Sequence, residues 1–147
     1  MAIWQVTMAL TKEDESLCYQ EKNFLESLND LNMFFPEKNS WCESIRQFGD
    51  LDSTCMEIDY KQVELPLRID LRNITKEQLE AIIKFAISNG LKVKYNNMVV
   101  SPSFESFVNI IKSSNAYKFI NDPNKYLETL KTTPFNQGTS IRGRFCD

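Results

Sequence analysis

The stretch that decides the fold is CMEIDYKQVELPLRIDLR, residues 55–72. Apolar and charged residues alternate in two runs, about 54–60 and 63–72, which are separated by Lys61 and Gln62. A period of two is typical of β-strands that bury one face and turn the other toward polar surroundings. The pattern therefore predicts a β-hairpin with one apolar and one charged face, and the charged face meets either water or a partner.

Further elements are predicted on the N-terminal side of this hairpin. The alternation of residues 3–10 predicts a strand, and apolar residues at helical spacing predict a helix over about 21–33. That helix ends before Pro36, because proline disfavours helical geometry in the residue that precedes it. Residues 41–48 favour a short helix or turn that stops at Gly49.

The strongest local signal predicts a helix over about 76–89. Thr75 is a candidate N-cap, and Gln78, three residues later, completes a capping box with it. Gly90 suits the left-handed cap that often follows a helix. The sequence therefore marks both ends of this helix.

A second hairpin and three helical segments are predicted after this helix. Residues 91–100 alternate and turn at an Asn-Asn pair, and apolar residues after Pro102 recur at helical spacing. A further helical turn is predicted near 116–120, and a last helix starts at Pro123, because proline suits the first helical position.

The order of these elements predicts an α+β domain. About five strands form a mostly antiparallel sheet, and the helices pack on one of its faces. A chain of 147 residues suits one domain, which we assign to residues 1–131. Residues 132–147 are polar and turn-rich and are predicted to be a C-terminal tail.

The sequence favours a cytoplasmic protein. The N-terminus has neither the basic region nor the apolar core of a signal peptide, and no stretch approaches the roughly 20 apolar residues of a membrane span. Without an export signal, unevenly spaced cysteines are expected to be reduced thiols rather than a disulfide framework. The four cysteines are Cys18, Cys42, Cys55 and Cys146.

The charge of the chain is unevenly distributed. Residues 1–70 hold six basic and 14 acidic residues, a net charge of −8, and residues 71–147 hold 11 and six, a net charge of +5. Acidic and basic surfaces of this kind can steer partners, although a single domain also mixes such charges in space. The overall charge of −3 argues against nucleic acid as the main partner, since phosphate binding needs a basic surface.

Catalysis is not expected from this sequence. Histidine is absent, which excludes histidine-dependent nucleophilic catalysis and histidine metal sites. No glycine-rich phosphate loop occurs among the four glycines, so neither a catalytic residue nor a cofactor or resident metal is assigned. Carboxylates among Asp50, Asp52, Glu57, Asp59 and Asp70 leave a small magnesium-dependent enzyme as an alternative.

The same carboxylates form a candidate partner-binding patch. Residues 50–64 carry five acidic side chains against Lys61, a local net charge of −4, and such a patch attracts a basic partner and speeds association. Ordinary pairing with Arg68 and Arg72 would explain these charges equally well. The predicted contact residues are Asp50, Asp52, Glu57, Asp59, Glu64 and Asp70. The candidate aromatic anchors are Trp4, Trp41, Phe34, Phe35 and Phe48.

Several stretches between residues 41 and 130 resemble a known class of proteins. They are a tryptophan at 41 with GD at 49–50, TCMEIDY at 54–60, LRIDLR at 67–72 and SNAYKFINDPNKYLETL at 114–130. Taken together, these stretches resemble the immunity proteins of bacterial contact-dependent growth inhibition and related polymorphic toxin systems.

The resemblance implies a protein that binds the C-terminal toxic domain of a cognate effector and blocks its action without being an enzyme. It transfers no contact residues, because these families share no binding motif. The acidic patch favours a nuclease as the toxin, since nucleases carry basic clefts. A stand-alone protein-binding adaptor is the alternative, and the oligomeric state stays open.

Overall fold

The structure is a computed structural model that describes residues 2–12 and 22–132. Its fold is α+β, as predicted. The strands are β1 (Gln5–Thr11), β2 (Glu37–Lys38), β3 (Ile45–Gly49), β4 (Cys55–Asp59), β5 (Leu65–Asp70), β6 (Lys92–Tyr95) and β7 (Met98–Val100). The helices are α1 (Lys22–Phe34), α2 (Lys76–Ser88), α3 (Phe104–Ser113), α4 (Asn115–Asn121) and α5 (Pro123–Thr132). The predicted tail, 132–147, lies outside the described residues except for Thr132.

The strands form one antiparallel sheet in the order β2-β3-β4-β5-β1-β6-β7. The five predicted strands are present as β1 and β4 to β7, and the described residues add β2 and β3. The N-terminal strand β1 lies between β5 and β6, so it joins the two predicted hairpins into a single sheet. The hairpin that the sequence predicts over 54–72 is confirmed as β4 and β5, which pair antiparallel.

The prediction of a short helix or turn over residues 41–48 is wrong, because Ile45–Gly49 is strand β3. Ile45, Gln47 and Phe48 are all buried, so this strand is covered on both faces and lacks the alternation that would identify it. Gly49 closes the strand with φ of 89°, and a Cβ atom there would collide with the carbonyl oxygen of Thr54. Only glycine fits such a position without strain.

The predicted ends of α2 are confirmed. The Thr75 hydroxyl accepts a hydrogen bond from the backbone N–H of Gln78, whose side chain accepts one from the backbone N–H of Thr75. Gly90 follows the helix with φ of 65°, the left-handed conformation that the sequence predicts. The Asn-Asn turn of the second hairpin is also present, with positive φ at Asn96 and Asn97.

One face of the sheet packs against the helices and forms the core. Antiparallel pairing places Met8 beside Leu67, and Met56 beside the same leucine, on one apolar face. Buried side chains of α1, α2 and α3 join the same cluster, including Phe24, whose ring meets that of Phe85 edge to face at 5.6 Å. The opposite face of the sheet carries the charged residues of β4 and β5.

Candidate functional site

Three of the six predicted contact residues are buried. Glu57, Asp59 and Asp70 are exposed by 4%, 7% and 0%. The expectation that β4 turns a solvated face toward water is therefore wrong, because all five residues of Cys55–Asp59 are buried. Residues of β4 do alternate between the two faces of the sheet. Both faces are buried, so the alternation does not separate a buried face from a solvent-exposed one.

Glu57 is held by side chains from two other segments. The indole Nε1 of Trp41 donates to its Oε2 at 2.9 Å, and Arg68 Nη2 lies 3.6 Å from its Oε1. Trp41 precedes β3 in the chain, so this hydrogen bond brings the segment before β3 over β4. A carboxylate that leaves water needs such donors, because burying an unpaired charge is costly.

Asp70 is bound by Arg72 in a fork. Arg72 Nη2 donates to Asp70 Oδ2 at 2.8 Å and Nε donates to Oδ1 at 3.0 Å, while the backbone N–H of Arg72 also reaches Oδ1. Burial alone would raise the pKa of Asp70, but the hydrogen bonds and charge of Arg72 outweigh it and lower the pKa below its ordinary value. This carboxylate is thus committed to the fold.

Two further predicted residues also have partners within the chain. The Asp59 carboxylate accepts a hydrogen bond from the backbone N–H of Lys61 and shapes the turn between β4 and β5. The Glu64 carboxylate forms an ion pair with Lys94 at 2.7 Å, with both side chains about half exposed. Exposed pairs of this kind contribute about 0–1 kcal/mol, so Glu64 could exchange its partner at little cost.

Asp50 and Asp52 are exposed and lie in the connection between β3 and β4, which we call the acidic turn, residues 50–53. The turn is closed by a hydrogen bond from the backbone N–H of Ser53 to the carbonyl oxygen of Asp50 at 3.0 Å. Within the described part of the chain, neither carboxylate is engaged in a hydrogen bond or ion pair. The pKa of Arg72 is raised mainly by its hydrogen bonds with Asp70 and also by the charge of Asp52. The carboxylates of Asp50 and Asp52 are nevertheless exposed and can be reached by a partner.

Side chains of Trp4 and of Gln5, the first residue of β1, hold the backbone of the acidic turn through hydrogen bonds. Gln5, a buried side chain, donates through Nε2 to the carbonyl oxygens of Leu51 at 3.0 Å and Ser53 at 2.6 Å. The indole Nε1 of Trp4 donates to the carbonyl oxygen of Asp52 at 3.0 Å. The carbonyl groups are thereby tied to the sheet, so a partner would meet a turn that is already ordered and would cost little entropy to bind.

Sequence reasoning missed Gln5 as part of this site. A glutamine at a polar position of an alternating strand is normally read as solvent-facing, and Gln5 lies opposite Asp70 in the register of β1 and β5. The signal that could have found it is its position next to Trp4, a residue that the sequence did single out as an anchor.

A cleft of about 350 Å³ adjoins the acidic turn. Its apolar wall is formed by Phe34 and Pro36, and Asp50 and Lys38 contribute opposite charges to its lining. Phe34 and Phe35 both line the cleft, and Phe34 is the exposed one of these two predicted aromatic anchors. Its neighbour Phe35 is buried in the core, as is Phe48, so these two serve packing.

The remaining features of the described residues concern metal clusters, membrane-spanning helices and thiols. Across residues 2–12 and 22–132, no group of three or more Cys, Asp or Glu side chains could hold a metal ion, and no helix could span a membrane. Cys55 is a free, buried thiol, but Cys42 is disulfide-bonded, so the expectation of reduced cysteines is wrong for Cys42. Cys18 and Cys146 lie outside the described residues.

Comparisons of this chain with protein-family models, with curated proteins and with solved structures gave no match.

Proposed function

We propose that this chain is an immunity protein that binds a cognate toxin domain through the acidic turn and so blocks the toxin. The observation that carries the proposal is the exposure of the Asp50 and Asp52 carboxylates on an ordered turn. The carbonyl groups of this turn are anchored by Gln5 and Trp4. An ordered backbone that carries exposed charge is the combination that favours a protein-binding site.

The proposed toxin is a nuclease, because a nuclease surrounds its active site with cationic side chains that hold phosphate. An acidic turn placed against such a site would compete with nucleic acid for the same cations and would speed association. The resemblance to immunity proteins supports the same role, and it implies inhibition by occupation of a surface rather than by catalysis.

The six predicted contact residues take different parts in this proposal. Asp50 and Asp52 contact the toxin directly, and Glu64 can join them by leaving Lys94. Glu57, Asp59 and Asp70 support the fold beneath the acidic surface and do not contact the toxin. They are buried and have partners within the chain, so a rigid docking partner cannot reach them.

The test is co-expression with the toxin domain encoded next to this gene, with growth rescue and co-purification as readouts. We expect wild type to rescue growth and to form a complex. The double variant Asp50→Lys with Asp52→Lys should weaken binding about tenfold or more, chiefly by slower association. The matched control is Asp30→Lys with Glu43→Lys, since both are exposed and the change in net charge is equal.

The outcomes separate function from site. Absence of both rescue and complex in wild type would reject the immunity function and leave a protein-binding adaptor. Rescue that survives Asp50→Lys with Asp52→Lys would keep the function and move the interface elsewhere.

The proposed location is the cytoplasm, where a toxic nuclease would act. The disulfide of Cys42 opposes this location, because structural disulfides persist mainly in oxidising compartments. Cell fractionation with thiol alkylation before lysis tests it. Soluble protein in the cytoplasmic fraction with Cys42 alkylated would support the proposal, and an oxidised Cys42 in an exported fraction would reject it.

A further inference from the structure

The two edge strands of the sheet, β2 and β7, differ in charge and in hydrophobicity. Strand β2 forms one edge; it has only two residues, both of them charged, and it follows Pro36. Strand β7 forms the other edge with Met98, Val99 and Val100. Natural proteins protect exposed edges with charge, proline or short length, because an unpaired edge invites another strand. The edge at β2 is protected, whereas β7 carries neither charge nor proline.

The apolar side chains of β7 are presented to solvent. Met98 is exposed by 60% and Val99 by 50%, and they point to opposite faces of the sheet because successive residues of a strand alternate. No described strand covers the outer side of β7, whose pairing partner is β6. An incoming strand would therefore find apolar contacts above and below the line of hydrogen bonds.

The hairpin geometry shows which backbone groups face outward. Tyr95 and Met98 flank the two-residue turn and form a hydrogen-bonded pair of the β6–β7 ladder. Hydrogen-bonded and non-hydrogen-bonded pairs alternate along an antiparallel ladder. The N–H and C=O of Val99, opposite Lys94, therefore point away from β6 and are directed at the position of an added strand.

We infer that β7 pairs with β7 of a second copy of this chain, antiparallel and about a two-fold axis at Val99. In this arrangement each Val99 N–H donates to the carbonyl oxygen of the other Val99. The two sheets then continue into each other, and Met98 of one copy lies beside Val100 of the other. A two-fold contact uses the same patch twice, which requires that the patch complement itself.

Charge favours a second copy as the occupant. Like charges that face each other across a two-fold axis repel, and β7 has no charged residue. Lys94 is the cross-strand neighbour of Val99 on the same face, and it is already neutralised by Glu64 at 2.7 Å. Lys92 donates to the Ser101 hydroxyl. The axis therefore brings no charged residue of one β7 strand against a like charge of the other.

The short length of β7 sets the strength of the contact. A strand of three residues buries less area than a standard interface, so we expect a reversible dimer rather than an obligate one. This surface lies at the far edge of the sheet from the acidic turn, and the inference does not depend on the proposed function.

The experiment is sedimentation velocity of the full chain from about 1 μM to about 1 mM, the range of weak association. We expect wild type to pass from monomer to dimer. Val99→Pro removes the one N–H that the second copy would accept, and proline is tolerated on a strand edge whose N–H faces outward. Val99→Thr keeps that N–H and the branched shape and is the matched control.

Monomeric Val99→Pro together with dimeric Val99→Thr and wild type would establish the contact, provided that circular dichroism shows native folding for each. If Val99→Pro fails to fold, Val99→Lys replaces it, since like charges at the axis should also abolish the dimer. Wild type that stays monomeric at every concentration, or a folded Val99→Pro that still dimerises, would overturn the inference. If wild type stays monomeric, a strand of another protein becomes the remaining candidate to pair with β7.

Discussion

The guanidinium of Arg72 stacks on the indole of Trp4, with 3.8 Å between the Arg72 Cζ atom and the ring centroid. Both side chains also donate to the same carbonyl oxygen, that of Asp52, at 3.0 Å from Trp4 and 3.3 Å from Arg72. Because Arg72 binds Asp70 as well, one stacked pair connects the acidic turn to a buried carboxylate of the sheet. The position of the acidic turn is therefore coupled to the buried Asp70 carboxylate through this pair.

Replacing Asp70 should destabilise the fold. Asp70→Asn removes the charge that accepts three hydrogen-bond donors from Arg72, and hydrogen bonds to charged groups contribute about 1.5–3 kcal/mol. We expect the free energy of unfolding in urea to fall by about that amount. Asp30→Asn, at an exposed position, is the control and should leave it unchanged. Equal stability of both variants would mean that the Arg72 fork contributes nothing.

The stability of the protein should fall in acid because of Asp70. A carboxyl group whose pKa is lowered by folding contributes its full stability above the unfolded pKa, near 3.8, and loses it as the pH falls through the folded pKa. The pKa of Glu37 is lowered in the same direction by its hydrogen bond with Arg46. We expect the difference between wild type and Asp70→Asn to be constant from pH 7 to about pH 5 and to shrink below about pH 4. Urea titrations across this range measure it, and a difference that grows in acid would contradict the pKa direction.

The features that the sequence predicts well are the local ones. Two of these features depend only on residues that are close in the chain. They are the capping box of Thr75 and Gln78 and the turn at Asn96 and Asn97, and both can therefore be predicted from a short stretch of sequence. The β4–β5 hairpin follows from alternation in one continuous stretch.

The features that the sequence does not predict depend on long-range pairing. Strand β3 forms by pairing with β2 and β4 and is buried on both faces, and no local period in its sequence reports this. The burial of Glu57 depends on Trp41 and Arg68, which lie in two other segments. A charged residue on an alternating strand reads as solvated until its partners are known, which is why six acidic residues could not be divided into supporting and exposed ones.

Gln5 should control the order of the acidic turn. Gln5→Leu is similar in size but replaces the polar amide by an apolar group. It removes two hydrogen bonds to the carbonyl oxygens of Leu51 and Ser53, each contributing about 1 kcal/mol, and also the acceptor of the Ala2 N–H. We expect faster amide hydrogen exchange at residues 50–53 and weaker toxin binding, although Asp50 and Asp52 are unchanged. Gln62→Ala, an exposed glutamine outside the site, is the control. Unaltered exchange would show that the turn is ordered by other contacts.

Magnesium should not change the melting temperature. The described residues contain no cluster of carboxylates that could hold a metal ion, and Asp59 is committed to the turn at Lys61. A ligand that binds only the folded state raises its stability by RT ln(1 + L/Kd), where L is the free ligand concentration, so calorimetry in millimolar magnesium measures such binding directly. A clear rise, abolished by Asp50→Asn with Asp52→Asn, would revive the small magnesium-dependent enzyme as the alternative.

Alanine at the two described glycines with positive φ should have unequal costs. Gly90→Ala places a methyl group in open space and bears only the strain of the left-handed conformation, about 1–2 kcal/mol. Gly49→Ala bears a comparable backbone strain and in addition drives its Cβ into the carbonyl oxygen of Thr54, which is backbone and cannot rotate away. The shift must spread into the acidic turn between these residues, so we expect Gly49→Ala to lose more stability in urea and also to weaken toxin binding. Gly90→Ala should lose stability alone, and equal losses for the two variants would mean that the β3–β4 connection yields more easily than its contacts indicate.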